Sequence, residues 1–151
     1  MNNIKNITAK VFILLSTSIS LSIATLSSAA DILQSNDWQF VAKDEYFSYA
    51  LDPKSIRNSS LQSNDANQKI LAVPIKVVTL KDIPKYDYHK NEMAVQFNHY
   101  DCSTQQFSIG QIRSYTADGT LFDDDPTDTV EWMSAEKGSP SRAILDRVCT
   151  L

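Results

Sequence analysis

"MAVQFNHYDCSTQQFSIGQIRSYTADG", Met93 to Gly119, places a histidine, an aspartate and one of the chain's two cysteines within four residues, His99-Tyr100-Asp101-Cys102. Either this is a thiol beside a base, or it is the point where an exported fold is stapled. The stretch reads as two strands around "STQQ". Met93, Val95 and Phe97 share one face of the first strand, whereas Tyr100 and Cys102 lie on the other; Phe107 and Ile109 share one parity in the second strand and Ile112 takes the opposite one. A hairpin centred on Thr104 and Gln105 would pair Cys102 with Phe107, Tyr100 with Ile109 and Phe97 with Ile112. The two phase switches, near Asn98-His99 and Gly110-Gln111, then face each other. They predict a shared bulge and a strongly bent hairpin, with Gly110 supplying the conformational freedom.

The compartment decides what the cysteine does. Lys5 and Lys10 precede the apolar run "VFILLSTSISLSIATL", and "SSAA" follows with small residues placed for cleavage after Ala30. This is the pattern of a secretory signal peptide over residues 1–30, and the run falls short of the roughly 20 apolar residues that span a bilayer. The mature chain is therefore expected to have no membrane span and, with no cysteine at the cleavage point, no lipid anchor. Residues 31–151, roughly 120 in number, suit one domain with one modest core. Two cysteines in an oxidising compartment are most simply one disulfide, Cys102 to Cys149. The loop closed is about 47 residues, for which chain entropy gives an upper figure of roughly 4 kcal/mol.

The formal charge is −4, and loss of Lys5 and Lys10 with the signal makes the chain more acidic. Nucleic acid is excluded as a partner class, because phosphate binding needs a basic patch. "DWQFVA" (37–42) and "EYFSYALD" (45–52) read as strands joined by a tight turn, and "RNSSLQSNDANQ" as an exposed loop. "KILAVPIKVVTL" (69–80) reads as a well-buried strand in which Pro74, lacking an N–H, points to an edge or a bulge. "KDIPKYDYHKNE" is a polar connection displaying Tyr86 and Tyr88. Asp118-Gly119 marks a turn, with "TLF" and "TVEWM" as short strands on either side of "DDDPTD". "GSPSRAILDRVCT" reads as a helix capped by Ser139, with Pro140 in its first turn and Ile144, Leu145, Val148 and Cys149 at helical spacing.

Catalytic patterns are sparse. His89 and His99 are the only histidines and have neither metal spacing nor a cysteine pair beside them. His99, Asp101 and Cys102 have the residue types of a thiol–imidazole site, but on a strand His99 and Cys102 point to opposite faces, and a disulfide consumes the thiol. Asp123 to Asp128 lacks the glycine and distal glutamate of a calcium loop. With only three glycines there is no phosphate-binding or dinucleotide loop. No catalytic residue, metal or cofactor is expected. The tyrosines Tyr46, Tyr86, Tyr88 and Tyr115 are candidates for a protein-binding surface.

Trp38, "YALDPKSI" (49–56), "YDCSTQQFSI" with "YTADG" after it, Trp132 and the terminal "SPSRAILDRVC" follow one another in an order that resembles the surface-adhesin protein E family of Gram-negative bacteria. The resemblance runs from about Trp38 to Cys149. It implies an α+β domain, an antiparallel sheet with the C-terminal helix packed on one face and tethered through Cys102–Cys149. It also implies binding rather than catalysis: attachment to host matrix and plasma proteins such as vitronectin and laminin, with a capacity to form homodimers. Two features depart from the family pattern. Ala29-Ala30 stands where the best-known adhesin carries its lipid-bearing cysteine, and "ILAVPIKVV" stands where relatives often carry a tryptophan. No ligand-binding residue transfers one by one. The resulting expectation is an exported binding protein of the periplasm or cell surface. The alternatives are a periplasmic inhibitor or accessory subunit of an envelope protein and, lower in rank, a small hydrolase.

Overall fold

The structure, a computed structural model, describes residues 37–61 and 69–151. The expected signal peptide and residues 62–68, the second half of the expected polar loop, lie outside the described residues. Strands β1 (Gln39–Lys43), β2 (Phe47–Leu51), β3 (Arg57–Asn58), β4 (Ile70–Thr79), β5 (Met93–Asp101), β6 (Gln106–Ser108), β7 (Ile112–Tyr115), β8 (Leu121–Asp125) and β9 (Met133–Ser134) build one antiparallel sheet, followed by the helix α1 (Pro140–Cys149). Among the described residues, no helix is long and apolar enough to cross a membrane.

The long strands β4 and β5 form the axis, paired without a register shift from Ile70–Asp101 to Val78–Met93. The outer side of each is shared by two short strands. β2 pairs with Ile75–Thr79 and β3 with Leu71–Ala72 along β4; β7 pairs with Met93–Gln96 and β6 with His99–Asp101 along β5. Pro74 faces the break between β2 and β3, where the chain leaves Leu51 for the 3-10 turn Pro53–Ser55. A residue without an N–H is tolerated there because that side has no ladder partner to lose. Pro74 thus sits inside a central strand, opposite a local gap, and causes no bulge.

The hairpin register differs from the expectation. Tyr100 pairs with Phe107 and His99 with Ser108, while Gln96 pairs with Ile112. Two residues of β5 therefore face three on the returning strand, Ile109 to Gln111. The irregularity belongs to that strand, and β5 keeps an unbroken register along β4. The hydrophobic phase switch in β5 has another cause. Its even-numbered residues share a face with Leu71, Val73, Ile75 and Val77, and this is the face that α1 covers. Tyr100 and Cys102 lie at the covered end; Ala94 and Gln96, small and polar, lie at the end that the helix leaves open. Asn98 marks the boundary, its Oδ1 buried with no partner among the described residues.

The core holds Leu51, Leu71, Val73, Ile75, Tyr100 and Phe107 of the sheet against Ile144, Leu145 and Val148 of α1. Each fully buried aliphatic side chain contributes roughly 1.5–3 kcal/mol. Ten residues are too few for a stable isolated helix, so α1 depends on these contacts and on its ends. Ser139 Oγ accepts the Arg142 N–H at 3.1 Å as the N-cap, and Cys149 in the last turn is bonded to Cys102, with the Cα atoms 5.5 Å apart. Ser139→Ala should cost about 1 kcal/mol, measured as a lower urea midpoint with unchanged m-value.

Candidate functional site

The half of the sheet face that α1 leaves uncovered is a cleft of about 320 Å³. Its floor comes from alternate residues of four strands: Phe47 and Tyr49 (β2), Val77 (β4), Ala94 and Gln96 (β5), and Ile112 and Ser114 (β7). Phe122 of β8 forms one wall, and Tyr88, Glu92 and Met93 of the β4–β5 connection and the start of β5 close the other side. Phe47 and Tyr88 are shared with a second open hollow of about 600 Å³, which is also lined by Tyr46, Ile83, Lys85 and Tyr86.

The aromatic rings form a connected series. Phe47 lies 6.4 Å from Tyr49, 6.1 Å from Tyr88 and 6.5 Å from Tyr46, and Tyr88 lies 6.3 Å from Tyr86. Tyr46, Tyr86, Tyr88 and Phe122 are 39%, 60%, 45% and 54% exposed, so rigid amphipathic rings stand in water at the rim. Their positions are secured locally. Tyr49 donates its hydroxyl to Asp44 Oδ2 at 3.1 Å, and burial together with the Asp44 charge pushes its phenol well above the usual range, which keeps it a neutral donor. Lys81, paired with Glu45, sits 4.4 Å from the Tyr46 ring centroid, and Lys85 sits 5.0 Å from that of Tyr86. The 3-10 turn Pro84–Tyr86 and the Ile83–Tyr88 bridge hold the connection in place.

Three of the four expected tyrosines meet here. Tyr115 does not: it follows the cleft-facing Ser114 in β7, so its parity points it to the opposite face, and it is 2% exposed. The sequence reading missed Phe47, Tyr49, Ile112 and Phe122 as site residues, since each reads as an ordinary strand position. The run of small and polar side chains at Ala94, Gln96 and Ser114 was the available signal, as an apolar core would not leave that row unfilled.

The acidic groups near the cleft are set by register. Among the described residues Glu92 is the only carboxylate lining it, and its Oε2 accepts the His89 N–H at 2.9 Å. Asp123 pairs with Ser114 and Asp125 with Ile112, so both lie on the cleft side of β8; Asp124 lies on the other face, 3.3 Å from Arg113. "DDD" thus belongs to strand β8, not to a turn after "TLF", and its carboxylates diverge to two faces. Asp125 is held below its usual range by hydrogen bonds from Thr127.

His99-Tyr100-Asp101-Cys102 lies at the other end of β5 and splits between faces. Cys102 packs with the helix-side core and is bonded to Cys149. Asp101 accepts the Ser103 and Thr104 N–H groups at 2.9 and 3.2 Å and the Thr104 hydroxyl at 2.7 Å, shaping the hairpin turn. The carboxylate on the imidazole is Asp128, with Oδ1 3.3 Å from His99 Nε2, and Ser59 Oγ lies 3.0 Å from Nδ1. Serine, histidine and aspartate are triad residue types, yet here they link three chain segments. Ser59 Oγ also accepts the Leu61 N–H at 3.0 Å, and Glu131 N–H donates to Ser108 Oγ at 3.1 Å beside this row. The result is a clamp that lays residues 126–132 across the second face. His89 is remote from it, exposed and 3.7 Å from Asp87.

The family model for surface-adhesin protein E matches residues 38–150, which takes in the cleft, both cysteines and every strand and helix described above. The chain belongs to the surface-adhesin protein E family. No curated protein and no solved structure matched the chain. Membership in the surface-adhesin protein E family makes this a protein of surface-adhesin type, which points to protein binding, to a non-enzymatic role and to an exported or cell-surface location. The sheet, the helix on one of its faces and the Cys102–Cys149 link agree with the fold expected from the sequence.

Proposed function

We propose that this chain is an exported, non-enzymatic adhesin-type protein that binds host extracellular-matrix or plasma proteins at the cell envelope, and that the cleft with its tyrosine rim is the contact surface. The observation that carries this reading is the half-covered sheet face: apolar floor, aromatic rim and no structural element of the described chain laid over it. Aromatic side chains dominate binding energy because they bring large rigid area at small entropy cost. A sheet face left bare at one end and sealed by a disulfide-tethered helix at the other is costly unless something covers it.

The test is solid-phase and solution binding of the purified protein to vitronectin and laminin. Ile112→Glu and the pair Tyr86→Ala with Tyr88→Ala should each weaken binding by roughly 30-fold, about 2 kcal/mol, with circular dichroism unchanged. Full binding by both variants would remove the cleft from the account. Lack of binding to any matrix protein, together with a purely periplasmic location, would favour an inhibitor or accessory subunit of an envelope protein instead.

A further inference from the structure

The cleft is bounded by a strand whose outer edge is free. β8 pairs with β7 on one side, has no strand on the other among the described residues, and is exposed along its whole length from Leu121 to Asp125. We propose that the partner enters as an extended, basic segment that adds to this edge as the next strand, with alternate side chains turned into the cleft. The proposal rests on the cleft being the contact surface and deepens that reading by naming the chemistry of the occupant.

An added strand runs about 4.8 Å from β8, and every second side chain points to the cleft side. Those side chains pass Phe122 and, beyond it, Ile112, so the methylene stem of a long basic residue packs on an apolar wall and floor while its charge stays beside the carboxylates of β8. Residues facing Asp123 and Asp125 stand roughly 4.5–5.5 Å away, where lysine or arginine is attracted and an acid is repelled. Glu92, a carboxylate of the lining, adds to the same selection from across the cleft. A second copy of β8 is a poor occupant, because it would set aspartate against aspartate in a chain that is already acidic. An acidic edge strand also discourages self-pairing. Selection of a basic strand requires more than that, since it also needs the backbone edge and the cleft to act together.

The test uses a capped peptide of alternating lysine and valine, nine residues long, its glutamate–valine counterpart, and two lysine–valine versions N-methylated at odd or at even residues. Fluorescence anisotropy at low salt should show the lysine peptide bound, the glutamate peptide weaker by at least about 50-fold, and one N-methylated version weaker by at least about tenfold because it loses the strand hydrogen bonds. Asp123→Asn with Asp125→Asn should weaken the lysine peptide about tenfold, while Asp124→Asn on the opposite face should leave it unchanged. Equal binding of both charge types, indifference to either N-methylation pattern, or an equal effect of Asp124→Asn would overturn the proposal. A concentration-dependent dimer abolished by Ile112→Glu would also overturn it, assigning the cleft to a second copy. If the lysine peptide fails while Ile112→Glu still removes matrix-protein binding, the basic-strand inference falls and the contact surface stands; if both fail, the surface falls too.

Discussion

Replacing Cys102 and Cys149 together by serine is expected to lower the unfolding free energy by up to roughly 4 kcal/mol, the chain-entropy ceiling for a loop of this length. For a domain of this size that corresponds to a fall in Tm of roughly 15 °C. The bond spans a sequence separation of 47 and joins the residue after β5 to the last turn of α1. Without it, a ten-residue helix is held by Ile144, Leu145 and Val148, its Ser139 cap and surface links such as Arg142 to Gln105 at 2.9 Å. The cleft lies at the opposite end of β4 and β5, so the variant should still bind ligand at temperatures where it remains folded. Urea denaturation of the double variant and of reduced wild-type protein should agree. A loss below about 1 kcal/mol in both would show that the helix is held by packing alone.

Gly110→Ala is the second substitution with a large effect. A Cβ at Gly110 would stand 2.3 Å from the Phe97 carbonyl oxygen and 2.8 Å from Asp128 Oδ1. The first neighbour is backbone of a central strand and cannot step aside. The returning strand has to move instead, which puts at risk the Phe97 N–H bond to the Gln111 carbonyl at 2.8 Å and the contact of Asp128 with His99. A cost of about 3 kcal/mol or more is expected. Adding Asp128→Ala should not restore stability, because the Phe97 clash remains. Gly119→Ala is the comparison: its φ is +87° but a Cβ there meets nothing, so the only cost is backbone strain of about 1 kcal/mol. Thermal denaturation of the two alanine variants should rank Gly110 well below Gly119, and equal values would contradict the close approach.

Local patterns made much of this fold legible. Ser139-Pro140 and the spacing of Ile144, Leu145 and Val148 define α1, and β-branched residues define β4. The disulfide followed from compartment and cysteine count. Pairing register was less visible: the expected pairing of Tyr100 with Ile109 failed because the extra residue sits between Ser108 and Ile112, a choice made by tertiary contacts around Gly110 and Asp128. The phase switch in β5 was visible but admits two causes, a bulge or a change of which face is covered, and only the position of α1 separates them. The same ambiguity hid the cleft. Tyr46, Tyr86 and Tyr88 stand out in a polar connection and a turn, whereas Phe47, Ile112 and Phe122 look like core until the helix is seen to stop short of them.

The proposed contact surface is the open half of the helix-bearing face. Amide hydrogen exchange of the protein with and without a saturating matrix ligand tests it most directly. Added protection is expected in Phe47–Tyr49, Tyr86–Gln96 and Ile112–Asp125, with α1 and Trp38 unchanged. Protection confined to α1, or to the second face around Trp38 and Lys76, which lie 5.6 Å apart as a cation–ring pair, would contradict it.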